Sequence, residues 1–205
     1  MKNIFFFLLL LPLWCSAQVL DADALLDKVI HTMKADAPLQ MDYSYTVYED
    51  DNSIVMQDKG VMRLEGNRYS LIMDKMGLWC NGETQWSYMQ EIDEIYITDA
   101  MSDEAQNLSP LFIMENYREG CTKEVEIKDG KLTIVLHVPA DSDIEKVVLS
   151  VDSGSSRLTA MDVFMRGQGY MEVKLDGYHK NCVFASDIYE CPVKEYSTAE
   201  IVDMR

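Results

Sequence analysis

Three histidines, five cysteines and an abundance of carboxylates are the residues here that could do covalent or metal chemistry. Their spacing argues against it. His31, His137 and His179 are scattered along the chain, and the cysteine spacings match no zinc pattern. No Gly-x-Ser-x-Gly element and no Cys–His arrangement occurs. Carboxylate pairs such as Glu91 and Asp93 carry little information in a chain with 35 acidic residues. Neither catalysis nor a cofactor is expected. The chemistry the sequence does offer is apolar contact. In WCNGETQWSY, residues 79–88, Asn81-Gly82 is a strong hairpin signal, since both central residues of such a turn must tolerate positive φ. A two-residue turn there pairs Cys80 with Glu83, Trp79 with Thr84 and Gly77 with Trp86. Side chains alternate along a strand, so Trp79, Thr84, Trp86 and Tyr88 share one face. Cys80, Glu83, Gln85 and Ser87 share the other.

The elements around this hairpin follow from periodicity. Leu25, Leu26, Val29, Ile30 and Met33 recur at helical spacing after capping aspartates, which predicts a helix over residues 22–35. MDYSYTVYED alternates and reads as a strand, and Asp50 to Ser53 supply a turn. Gly60, Gly66-Asn67 and Gly77 offer turn or bulge points in the next stretch. Carried back from the hairpin, the parity of Trp79 is that of Tyr69, Leu71 and Met73. Lys75 interrupts that face, which a bulge at Asp74-Lys75 would accommodate. EIYITDA adds a strand.

SDEAQNLSPLFIMENYREG predicts two short helices. Ser109 caps the second, Pro110 suits its first position and Gly120 ends it. Its run Leu111-Phe112-Ile113-Met114 exceeds one amphipathic stripe. The remainder reads as strands: KLTIVLHV, two around Asp152-Ser153-Gly154, GYMEVKLDGY, and CVFASDIYEC. Successive strands joined by short turns imply a meandering antiparallel sheet. So many strands twist until they curl. The expected fold is α+β, an incomplete antiparallel β-barrel whose concave apolar cavity is covered by helices.

The N-terminus, MKN followed by IFFFLLLLPLW and Cys15-Ser16-Ala17, reads as a signal peptide cleaved after Ala17. Acylation at Cys15 is the competing reading, but Trp14 stands where a small residue is preferred. Residues 1–17 are thus a removed leader and residues 18–205 a single domain. A net charge of −17 disfavours nucleic acid and anionic membrane surfaces. Four cysteines remain, Cys80, Cys121, Cys182 and Cys191, and they allow three pairings. Cys182 and Cys191 fall in one expected strand, where nine residues span roughly 30 Å, too far for a bond between them.

GVMRLEGNRYSL, LWCNGETQWSYMQEIDEIYITDA and NLSPLFIMENYREG, in that order, resemble the outer-membrane lipoprotein carrier (LolA-like) family, and the ending YSTAEIVDMR is similar to a tail of one of its branches. The resemblance spans essentially residues 18–205. It implies a half-barrel around an apolar cavity, and a periplasmic chaperone that carries acylated lipoproteins from an inner-membrane releasing transporter to an outer-membrane receptor, acting as a monomer. The residues expected to line the cavity are Met62, Leu64, Tyr69, Leu71, Met73, Trp79, Trp86, Tyr88, Ile95 and Ile97, with Phe112 and Met114 on a lid helix. Leu25 and Ile30 would brace the first helix. The family's latching arginine corresponds here to Gly66; Arg63 or Arg68 could serve after a bulge, or apolar contact alone closes the lid. A lipid- or stress-sensing module of the same fold, or a binder of free lipid or glycolipid, is the alternative to a carrier.

Overall fold

A computed structural model of the chain describes residues 21–102, 105, 120–128 and 131–205. The expected leader, the expected lid helix before Gly120, and the residues Phe112 and Met114 lie outside the described residues. The first element, α1 (Ala22–Asp36), begins where expected. The Asp21 carboxylate accepts from the backbone N–H groups of Asp23 and Ala24, satisfying donors that the first turn leaves free. Leu26, Val29, Ile30 and Met33 are its buried stripe, and Leu25 packs beside them.

Twelve strands follow among the described residues: β1 (Leu39–Tyr48), β2 (Ile54–Glu65), β3 (Arg68–Met73), β4 (Met76–Cys80), β5 (Thr84–Met89), β6 (Glu94–Asp99), β7 (Thr122–Lys128), β8 (Lys131–His137), β9 (Ile144–Val151), β10 (Leu158–Met165), β11 (Tyr170–His179) and β12 (Glu200–Asp203). They form one sheet in the order β12-β6-β5-β4-β3-β2-β1-β11-β10-β9-β8-β7. All neighbours are antiparallel except β12, which runs parallel to β6. β7 was not among the expected strands, because Lys123, Glu124 and Glu126 dilute its alternation.

The sheet is curved and unclosed. β4 and β8 are seven positions apart in it, about 33 Å if it were flat. Yet Leu78 and Cys80 of β4 share one buried cluster with Ile134 and Leu136 of β8 and with α1. α1 lies in the hollow of the curved sheet, packed on β7 and β8 and sharing its buried residues with that cluster. Ion pairs hold α1 in that hollow. Lys123 reaches Asp23 at 2.8 Å near the start of the helix, and Arg157 reaches Asp36 at 3.2 Å at its end.

Two turns differ from expectation. The β4–β5 hairpin is centred on Gly82-Glu83, one residue later than Asn81-Gly82. Asn81 and Thr84 close it through a backbone bond of 3.2 Å, and Gly82 takes φ +95° at the first central position. That glycine placement is the type II′ pattern. The Asn81 side chain accepts from the N–H groups of Glu83 and Thr84 and so belongs to the flank. The register therefore moves: Trp79 lies opposite Trp86, Gly77 opposite Tyr88 and Cys80 opposite Gln85. At Asp74-Lys75 there is no bulge but a two-residue turn between β3 and β4, with Ile72 opposite Gly77.

CVFASDIYEC is not a strand. It crosses the sheet as a loop with a single 3-10 turn, Ser186–Tyr189. β11 already has β1 and β10 on its two edges and β12 takes the edge beside β6; the free edge, on β7, lies at the far end of the strand order from the β3–β6 face that this loop covers. Cys80, Cys121, Cys182 and Cys191 are all free thiols.

Candidate functional site

The two faces of the sheet have different coverings. On the face towards α1, here the inner face, cross-strand pairing aligns Leu39 and Met41 of β1 with Leu64 and Met62 of β2, then Tyr69 and Leu71 of β3, then Cys80 and Leu78 of β4. On the other side of β1 the same face continues through Tyr178 and Val173 of β11, Met161 and Val163 of β10, and Leu149 and Val147 of β9. Close to α1 this surface is a solid core, with Leu39, Met41, Leu64 and Tyr69 all buried. Farther along the strands the face stays apolar but opens. Met62, Leu71, Met73, Met161 and Val163 are half-buried, while Met56 and Met89 are each 43% exposed.

Methionine dominates this surface. Of the fourteen in the sequence, Met41, Met56, Met62, Met73, Met76, Met89, Met161 and Met171 occupy inner-face positions. Met73, Met76 and Met89 form a continuous row, because the Asp74-Lys75 turn sets Met73 beside Met76, and Met76 lies opposite Met89. Unbranched thioether side chains re-pack at low cost, so the face can adapt to a flexible apolar ligand. Its polar groups gather on β5 and β6, where Gln85, Ser87, Glu94, Tyr96 and Thr98 take inner-face positions, and at Asp58 opposite Tyr45. The Tyr69 hydroxyl donates to the buried Gln85 side chain, and burial pushes that phenol's pKa up.

The hairpin aromatics lie on the opposite, outer face. A two-residue turn pairs odd positions with even ones, so crossing Asp74-Lys75 puts Trp79 on the other side from Tyr69, Leu71 and Met73. The expected lining residues are thereby split. Met62, Leu64, Tyr69, Leu71 and Met73 share the inner face with α1. Trp79, Trp86, Tyr88, Ile95 and Ile97 form a second cluster under Cys191, Val193, Tyr196 and Ala199 of the C-terminal segment. These aromatics do face a common apolar environment, but it is a packed layer supplied by the chain's own end. The Cys191 thiol, buried there, is pushed up to about 12.

The same segment is fastened further along the outer face. Tyr189 donates to Glu65 at 3.1 Å, Glu65 pairs with Arg68 at 2.8 Å, and the Arg68 guanidinium lies 4.9 Å from the Tyr189 ring centre. Arg63 is also on the outer face and donates to Gln40 at 3.1 Å. Neither arginine points to the inner face, and Gly66 occupies the β2–β3 turn with φ +62°. No bulge in the β2–β3 pairing brings either arginine round.

An outer-face cleft of about 450 Å³ is lined mainly by Ser44, Thr46, Gln57, Lys59, Glu172 and Lys174, groups unsuited to an alkyl chain. Among the described residues no group of three His, Cys, Asp or Glu side chains could hold a metal, and no helix is long and apolar enough to cross a membrane. The methionine register could have been read from sequence by treating Asp74-Lys75 as a turn. The burial of the aromatics by the C-terminal segment had no local signal.

A family model described as outer membrane lipoprotein carrier protein LolA matches residues 29–168. No curated protein sequence matches the chain. An uncharacterized conserved protein from Thermus thermophilus superposes with a TM-score of 0.53 at 10% identity, covering 89% of this chain and 98% of that one. A LolA superfamily protein from Nitrosomonas europaea gives 0.45 at 10% identity, with 85% and 99% covered. A putative outer membrane lipoprotein-sorting protein domain from Vibrio parahaemolyticus gives 0.46 at 11%, with 83% and 97% covered.

Proposed function

This chain belongs to the outer membrane lipoprotein carrier protein (LolA) family, and from that premise we propose that its methionine-rich inner face holds the acyl chains of lipid-modified proteins in the periplasm and carries them towards the outer membrane. The observation that supports this reading is the apolar inner face beyond α1, where Met62, Leu71, Met73, Met161 and Val163 are only half-buried. Each methylene moved from water to such a surface contributes about 0.8 kcal/mol. Ten of them supply roughly 8 kcal/mol, which is micromolar affinity without any polar contact. Met, Leu and Val there replace the aromatic lining that Trp79, Trp86 and Tyr88 would have made.

In this reading α1 is a fixed part of the cavity wall. Leu26 and Val29 are fully buried, and the helix is tied at both ends by Lys123 and Arg157. Opening and closing then fall to other parts of the chain. Retention rests on apolar burial, since Arg63 and Arg68 are engaged on the outer face. A carrier must also let go, so its open and closed states lie close in free energy. The releasing transporter at the inner membrane and the receptor at the outer membrane are the partners this reading requires.

The test is transfer. Purified protein is incubated with spheroplasts that display a lipoprotein, and the supernatant is assayed for a soluble complex. Wild type releases the lipoprotein, Leu71→Asp and Met161→Asp lose release, and Gln57→Asp on the outer face retains it. Binding of a lipopeptide without release would instead favour a lipid-binding or sensing module. No binding of acylated peptide overturns both.

A further inference from the structure

Two buried side-chain polar atoms among the described residues have no hydrogen-bond partner, Tyr43 Oη and Ser70 Oγ. Ser70 lies on the outer face opposite Trp79. Tyr43 lies on the inner face, between Met41 and Tyr45 along β1 and opposite Gly60 of β2 and Leu175 of β11. It is 6% exposed. A Cβ built on Gly60 would meet the Tyr43 ring at its Cζ and hydroxyl, far inside van der Waals contact. The phenol therefore lies across β2 in space that only a glycine leaves free. A phenylalanine would fill the same space. Burying the hydroxyl without a partner costs about 1–3 kcal/mol, so its presence in the apolar wall calls for a use.

The charged group nearest in register on this face is Asp58, opposite Tyr45. Its two oxygens accept from the backbone N–H groups of Lys59 and Asp74 and not from Tyr43. Burial, then Tyr45 and Asp58, push the Tyr43 phenol's pKa upward, which keeps it protonated. Among the described residues Tyr43 is thus the one buried inner-face donor without a partner, flanked by Met41, Met62 and Met73.

We propose that Tyr43 is a specificity residue whose hydroxyl donates to the carbonyl joining an acyl chain to its carrier, an ester to glycerol or an amide to an amine. This rests on the acyl-binding reading and names the chemistry that reading lacks. Hydrocarbon tails offer no acceptor, whereas an acyl carbonyl is a strong one. In a site without competing water, a single donor discriminates between a ligand that satisfies it and one that leaves it unpaired. Reaching it requires Met62 and Met73, which flank Gly60 on this face, to give way, and both side chains are flexible.

The test compares Tyr43→Phe with wild type on three probes: a diacylglyceryl peptide, its dialkyl ether analogue without carbonyls, and an N-palmitoyl peptide. The variant loses roughly three- to tenfold in affinity for the diester, the amide, or both, the affected probe naming the carbonyl, and keeps its affinity for the diether. Without ligand, Tyr43→Phe unfolds at higher urea than wild type, because it removes an unpaired hydroxyl. Ser70→Ala leaves the ester-to-ether ratio unchanged. If the wild type binds all three probes and Tyr43→Phe changes no ratio, or if it lowers the stability of the free protein, the assignment is wrong while acyl binding stands. If the wild type binds none of the probes, the acyl-binding reading falls and takes the assignment with it.

Discussion

Trp79 and Tyr196 meet edge to face with ring centres 5.9 Å apart, and through this contact the C-terminal segment is seated on β4. Tyr196 also lies 4.1 Å from the ring of Tyr88, so one side chain covers both ends of the outer aromatic row. Aromatic pairs of this kind contribute about 0.5–1.5 kcal/mol each beyond their buried area. Tyr196→Ala is therefore expected to lower stability by roughly 1–3 kcal/mol in urea unfolding. Trp79 and Trp86 lie in the cluster this change uncovers, so emission shifts to the red. Acyl binding is unaffected, because the inner face is untouched. Loss of lipopeptide binding with normal stability would move the cargo site to the outer face.

Gly60 is the position where a single methyl group should be felt most. A Cβ there meets the Tyr43 hydroxyl and, at 2.7 Å, the Ile72 carbonyl oxygen, and the carbonyl is held in the β2–β3 ladder. Overpacking of this kind costs about 1–3 kcal/mol. Gly60→Ala should unfold at lower urea by that amount. Unchanged stability would show that the Tyr43 ring does not lie across β2.

Asp36 closes α1 against the sheet. It accepts from Arg157 at 3.2 Å and from the Tyr178 hydroxyl at 3.0 Å, at the helix end where a negative charge is otherwise unfavourable. Asp36→Asn is expected to cost about 1–3 kcal/mol, since charged hydrogen bonds are lost. Burial first, then the Asp36 carboxylate, push the Tyr178 phenol up to about 12. Above the ordinary tyrosine value of about 10 the unfolded chain gives up this proton while the folded one keeps it. The contribution is whole below about pH 10 and declines as pH rises to about 12. Unfolding free energies of wild type and Tyr178→Phe, measured across the alkaline range up to about pH 12, should show the wild-type advantage shrinking over its upper part. A difference that stays flat would remove the Asp36–Tyr178 bond.

Much of the local structure was legible in the sequence. The spacing of Leu26, Val29, Ile30 and Met33 specified α1, alternation specified most strands, and Asn81-Gly82 located a hairpin to within one residue. Placing Trp79, Trp86 and Tyr88 together was also local, since period-two alternation survives a register change of two. The resemblance in residues 60–120 pointed to the family. What the sequence could not determine was which side of the sheet those aromatics face. Alternation is symmetric between the two faces of a strand, and the parity of Trp79 relative to Leu71 depends on whether Asp74-Lys75 is a bulge or a turn. Long-range contacts broke that symmetry. α1 shares its buried cluster with Leu64 and Leu78, and the C-terminal segment lies down over Trp79 and Tyr88. A strand's own residues decide what shares a face; only the elements packing on each side decide whether that face is a cavity wall or a second core.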